Sequence, residues 1–159
     1  MRALAAILIA TVGTFTAACG ATTRGRVDPV TMSPAITSAT VSFHTLSNGK
    51  DADSAVGIQL LRNNAELAAE THATGIKFDD NSTSSPFALS MAGTFRKHDV
   101  DDGRLRVRMN PDGKDDWTFN MQASLTFADG TSQRFAWNGL RLDNGAREIT
   151  LALNPARMP

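Results

Sequence analysis

From about Ala39 onward, apolar and polar residues alternate with a period of two. Val41 and Phe43 alternate with Ser42 and His44; Val56, Ile58 and Leu60 alternate with Gly57 and Gln59. Phe87, Leu89 and Met91 follow the same rule, as do Leu105, Val107 and Met109 against Arg104, Arg106 and Arg108. The longest run carries Trp117, Phe119, Met121, Ala123, Leu125 and Phe127 on one side and Thr118, Asn120, Gln122, Ser124 and Thr126 on the other. Phe135 and Trp137 precede a phase change at Gly139, read as a bulge, before Leu140 and Leu142; Ile149, Leu151 and Leu153 close the series. Successive side chains of a strand point to opposite faces, so each run predicts a strand with one buried and one wet face. On this reading Trp117 and Trp137 are core residues.

Turn-forming stretches separate the runs: SNGKDADS, RNN, DDNSTSSP, DVDDG, NPDGKDD, ADG and DNG. Asp129-Gly130 and Asn144-Gly145 are strong hairpin signals. Only ELAAETHA, residues 66–73, reads equally as a short helix or a strand. Seven or eight antiparallel strands without a long helix predict an all-β fold, an antiparallel β-sandwich.

The N-terminal residues follow another pattern. Arg2 is the sole charge before Cys19, and an uncharged run from Ala3 to Ala18 follows it. That is the layout of a signal peptide, and the run falls short of the ~20 residues of a comfortable membrane span. Small residues Ala17 and Ala18 precede the only cysteine of the chain.

Phe15-Thr16-Ala17-Ala18-Cys19 resembles the lipobox of bacterial lipoproteins, although Thr16 stands where Leu is most frequent. The resemblance implies a signal peptide over residues 1–18, cleavage before Cys19 and acylation of its thiol and amino group, with palmitate-type chains. Gly20, rather than Asp, follows the Cys, which resembles lipoproteins sent to the outer membrane. A lone Cys in an ordinary secreted chain has no disulfide partner; lipidation removes that difficulty. Two or more acyl chains anchor a protein stably. The alternative is a soluble secreted or periplasmic protein. Residues 19–37, small, polar and Pro-containing, read as lipidated Cys and flexible tether, and residues 38–155 as the β-sandwich domain.

Charge then narrows the function. The chain has 16 basic and 16 acidic residues, and loss of Arg2 with the leader leaves 15 against 16. No basic, aromatic-interleaved module for nucleic acid is present. Thirteen of the acidic residues are Asp, a residue of turns and of hard-cation sites. In a sandwich, successive loops fall on alternate ends, which gathers Asp51, Asp53, Asp79, Asp80, Asp112, Asp115, Asp116 and Asp143 at one end. Converging carboxylates suit calcium, with Asp51, Asp53, Asp80 and Asp115 as lead ligands. The competing reading is solvated turn Asp neutralised by Lys50, Lys77 and Lys114. Arg104, Arg106 and Arg108 share one strand face and suit phosphate or sulfate groups of an anionic lipid or glycan; the competing reading is a solvated or edge-protecting face.

SNGKDADS and GKDDW resemble turns of C2 and PLAT-type β-sandwiches, which implies binding of lipid, membrane or protein partners through end loops. No catalytic constellation stands out. Ser90, in LSMAG, lacks the preceding glycine of a nucleophile elbow; no phosphate-binding loop and no HExxH occur; and His44, His72 and His98 are far apart. The reading is therefore a non-catalytic, membrane-anchored envelope module that binds glycan, lipid or protein, with a structural or assembly lipoprotein docking through its sheet face as the alternative.

Overall fold

Alternation becomes strand throughout the computed structural model, which describes residues 32–63, 65–113 and 115–154. The strands are β1 (Ile36–Thr45), β2 (Ala55–Leu61), β3 (Leu67–Ala73), β4 (Phe87–Ala88), β5 (Ser90–Met91), β6 (Arg104–Asn110), β7 (Asp116–Phe127), β8 (Ser132–Asp143) and β9 (Glu148–Ala152). They build two antiparallel sheets, ordered β4-β1-β7-β8 and β5-β3-β2-β6-β9, packed as a sandwich. Among the described residues the only helical element is a 3-10 turn, Lys97–Asp101. None is long and apolar enough to cross a membrane.

The core is the sum of the inward faces. Val41, Phe43, Trp117, Phe119, Met121 and Leu125 of one sheet meet Val56, Ile58, Leu60, Leu105, Val107 and Met109 of the other, all buried. Full burial of a large apolar side chain contributes about 1.5–3 kcal/mol, so this double layer dominates stability. Aromatic rings concentrate at one end of it. Trp117 and Phe119, two residues apart on β7, stack at 3.9 Å between ring centres, and Phe78 stacks on Trp117 at 4.9 Å. The indole N–H of Trp117 donates to Thr45 Oγ1 at 3.1 Å, which satisfies its one polar group inside the core.

Residues 67–73 are a strand. The segment is too short for a helix to repay its nucleation, and antiparallel pairing with β2, from Val56↔Ala73 to Leu61↔Leu67, buries Ala68, Ala69 and Ala73. The run Phe87–Met91 serves both sheets and so yields two strands, for nine among the described residues. Phe87 pairs with Val41 of β1, and two residues past Ala88 the chain pairs Ser90 with Glu70 of β3. Buried Leu89 marks the crossing.

The bulge predicted at Gly139 is present. Phe119 opposes Leu140 while Met121 opposes Trp137, so Asn138 and Gly139 together face Asn120. Gly139 has φ +64°, a conformation that side chains disfavour, and its N–H donates to Asn120 Oδ1 at 2.8 Å. The extra residue lets Phe135 and Trp137 before it, and Leu140 and Leu142 after it, all face inward. Trp117 is fully buried; Trp137 packs on the core but stays partly exposed at the sheet edge.

Hydrogen bonds also hold the chain just before β1. Arg96 Nη1 donates to Ser33 O at 2.9 Å, the amide of His98 donates to Ser33 Oγ at 3.0 Å, and Lys97 N–H donates to Pro34 O at 2.8 Å. The folded body thus includes residues 33–37, which the sequence assigns to the tether. Cys19 and the expected signal peptide lie outside the described residues.

Candidate binding surfaces

The acidic end is built by the loops after β1, β3, β6 and β8. Gly49 lets the first loop approach the third: a Cβ there would stand 2.4 Å from Phe78 O. The backbones of Lys50 and Phe78 exchange hydrogen bonds at 3.0 and 2.9 Å across this contact. An open hollow of about 400 Å³ results, lined by Ser47, Asn48, Gly49, Asp51, Asp80, Asp115 and Asp116. Three of the four lead carboxylates, Asp51, Asp80 and Asp115, therefore share one surface.

A cation of the protein itself sits beneath them. Lys50 is 0 % exposed. Its Nζ donates to the carbonyls of Asp51 and Ser54 and lies 5.5 Å from the centre of the Phe78 ring. Burial pulls the Lys50 pKa below its ordinary 10.5, while Asp115, Asp53 and Asp51 pull the other way. Ser54 Oγ–H donates to Asp115 Oδ2 and accepts the Asp112 N–H at 2.9 Å, tying the first loop to the fifth. Lys77 Nζ meets Asp79 Oδ1 at 2.8 Å, and Arg141 forms a two-pronged bond to Asp116 at 2.8 and 2.7 Å while standing 3.6 Å from Asp143. Among the described residues no group of three or more His, Cys, Asp or Glu is arranged to hold a metal ion. Of the neutralisers expected from sequence, Lys50 and Lys77 take that part and Lys114 lies outside the described residues; Arg141 is an addition, hidden because its partner Asp116 is 25 positions away.

Arg104, Arg106 and Arg108 do share the outer face of the five-stranded sheet. β6 lies between β2 and β9, so they do not protect an edge. Arg106 Nε stands 3.4 Å from Glu148 Oε1, while Arg104 and Arg108 are exposed and form no ion pair among the described residues. Gln59 Nε2–H donates to Glu70 Oε2 at 3.1 Å, and His72 Nε2 stands 3.7 Å from the same oxygen, so carboxylates already interleave this face.

The opposite outer face, on β1, β7 and β8, has a different character. Cross-strand pairing sets Thr40, Ser124 and Arg134 in one row, Ser42, Gln122 and Ala136 in the next, and His44 with Asn120 in a third. His44 Nδ1 and Thr83 Oγ1 are hydrogen-bonded at 2.9 Å, which pins the Pro86-containing segment as a wall along the β1 edge. Two hollows open on this face, about 430 Å³ over Thr40, Ser124, Arg134 and Ala136 and about 270 Å³ over His44, Asn120 and Asn138. Both are lined by Ser42 and Gln122, so they adjoin as one depression in which Pro86, Phe135 and Ala136 stand beside the polar groups. The alternation marks these positions only as the wet side of a strand and gives no sign of concavity.

No protein-family model matches the chain, and no curated protein matches it.

Proposed function

We propose that this chain is a non-catalytic binding module, lipid-anchored through Cys19 to a bacterial envelope, whose ligand surface is the outer face of the four-stranded sheet and whose ligand is a glycan. The observation that carries the reading is the continuous depression that meets at Ser42 and Gln122. Thr40, Ser42, Asn120, Gln122 and Ser124 supply hydroxyls and amides, each able to donate and accept, at strand spacing, beside the apolar surface of Pro86 and Phe135. Such groups match a polyol. Arg134 is the one charged side chain lining the depression, in place of the cluster of several basic residues that an anionic lipid surface recruits. Phe135 lines the depression but is turned largely into the core, so hydrogen bonds carry the contact and affinity is modest, with Kd about 0.1–1 mM.

Calcium has no required place in this reading, because Lys50 supplies positive charge under the acidic loops. The testing experiment is a glycan array probed with the chain and with Gln122→Ala. Binding to an uncharged oligosaccharide, lost in the variant, supports the proposal. A blank array, or binding that Gln122→Ala leaves intact, removes it.

A further inference from the structure

We infer that β8 is a self-association strand: two copies pair edge to edge through it, antiparallel, into one sheet that spans both. The inference is independent of the glycan reading. Strand β8 ends the sheet order β4-β1-β7-β8 and runs 12 residues, whereas the opposite edge is the two-residue β4. A long open edge is a template for another strand unless it is blocked, and Ser132 to Asn138 contains no Pro and no inward charge.

The backbone sets which groups are free. Phe127 N–H donates to Thr131 O at 2.9 Å, and ladder alternation from that bond turns the amides of Gln133, Phe135 and Trp137 toward β7. Those of Arg134 and Ala136 face the open edge. The bulge at Gly139 shifts the phase, so that Arg141 faces the edge beyond it.

One register matches opposite charges. Set Ala136 opposite Arg141 of a second copy. Trp137 then meets Leu140, Phe135 meets Leu142, and Arg134 meets Asp143, each twice by symmetry. Inward residues oppose inward residues on both sides of the bulge, because each copy carries the same phase change. Arg134 is exposed and forms no ion pair among the described residues, so Asp143 gives it a partner. Slipping by two in one direction sets Arg134 against Arg141, a like-charge pair that disfavours that register, and slipping by two in the other loses the Arg134–Asp143 pair. Phe135, Trp137 and Leu140, partly exposed here, would be covered by the mate strand.

The test uses the full chain carrying Cys19→Ser, with one added cysteine. In the inferred register Asn138 of each copy lies within about 6 Å of its mate, while the two Ser132 positions are about 40 Å apart. Asn138→Cys should therefore cross-link to a dimer under mild oxidation, and Ser132→Cys should not. Sedimentation of the same Cys19→Ser chain should show a concentration-dependent dimer whose dissociation constant rises about tenfold or more in Arg134→Glu, with an unchanged circular dichroism spectrum. A monomer at every concentration, equal cross-linking at both sites, or a dimer indifferent to Arg134→Glu overturns the inference.

Discussion

The ammonium of Lys50 lies 5.5 Å from the centre of the Phe78 ring, in a residue with no exposed surface. A buried charge is tolerable only when paired and hydrogen-bonded. Here two carbonyls, an aromatic face and the carboxylates of Asp115, Asp53 and Asp51 provide part of that compensation, with burial the larger effect. Lys50 thus ties together three loops that would otherwise repel one another.

Removing this cation exposes its role. Lys50→Met keeps most of the volume but strands the Asp51 and Ser54 carbonyls and the facing carboxylates. We expect a loss of about 2–4 kcal/mol in urea unfolding. Millimolar calcium should leave the melting temperature of the parent chain unchanged; a clear rise in the parent would show that an ion, and not Lys50 alone, completes this end. A pH signature accompanies the residue. Because its folded pKa lies below 10.5, the unfolded chain holds more protons just below that value. Stability contributed by this group therefore rises with pH through that alkaline window, and Lys50→Met should abolish that slope.

At the other end of the sandwich, Asp129 closes the β7–β8 hairpin. Its carboxylate accepts from the Thr131 hydroxyl and amide at 2.6 and 3.0 Å and from Lys97 Nζ at 3.0 Å, which lowers its pKa from 3.8 to about 2. A depressed carboxylate pKa favours folding above the unfolded value, and that contribution is lost as pH falls from 3.8 toward 2. Asp129→Asn should flatten the acid limb of a stability–pH curve in that window. An unchanged limb would show that the turn is held by its backbone alone.

The bulge makes a third claim. Gly139→Ala places a side chain at φ +64° with nothing crowding it, so the cost is conformational, about 1–2 kcal/mol. Asn120→Ala removes the acceptor of the Gly139 amide and should cost about 1 kcal/mol, and the double variant should be sub-additive. Full additivity in thermal melts would separate the two residues.

Much of this fold is readable in the chain because a strand declares itself by its period. The buried positions of β2, β6 and β7 are the alternating apolar residues, and the phase slip between Trp137 and Leu140 marks the bulge before any coordinates. Loop parity also gathers Asp51, Asp80 and Asp115 correctly. What alternation cannot convey is pairing across the chain. Nothing local tells that Phe87–Met91 divides between sheets, that β6 is interior, or that Lys50 points inward. A lysine between Gly49 and Asp51 reads as a solvated turn residue until Phe78, 28 positions on, is placed beside it. The polar depression is likewise a property of three strands together, since Ser42, Gln122 and Ala136 are each ordinary alone.

The proposed membrane anchor rests on one thiol. Cys19→Ser should abolish the acyl additions in the intact mass and leave the leader, residues 1–18, uncleaved, and the same chain begun at Gly20 behind an ordinary cleavable leader should move to the soluble fraction. Native protein whose intact mass shows no acyl addition at Cys19 would refute lipid anchoring.

The most direct test of the glycan reading is to titrate the isotope-labelled chain with an uncharged oligosaccharide identified on the array and map amide shifts in the NMR spectrum. The expected result is a set of saturable shifts confined to Thr40, Ser42, Asn120, Gln122, Ser124 and Ala136, with a Kd of about 0.1–1 mM. Shifts centred instead on the acidic loops or on the Arg104–Arg108 face, or no saturable shift at any residue, would contradict it.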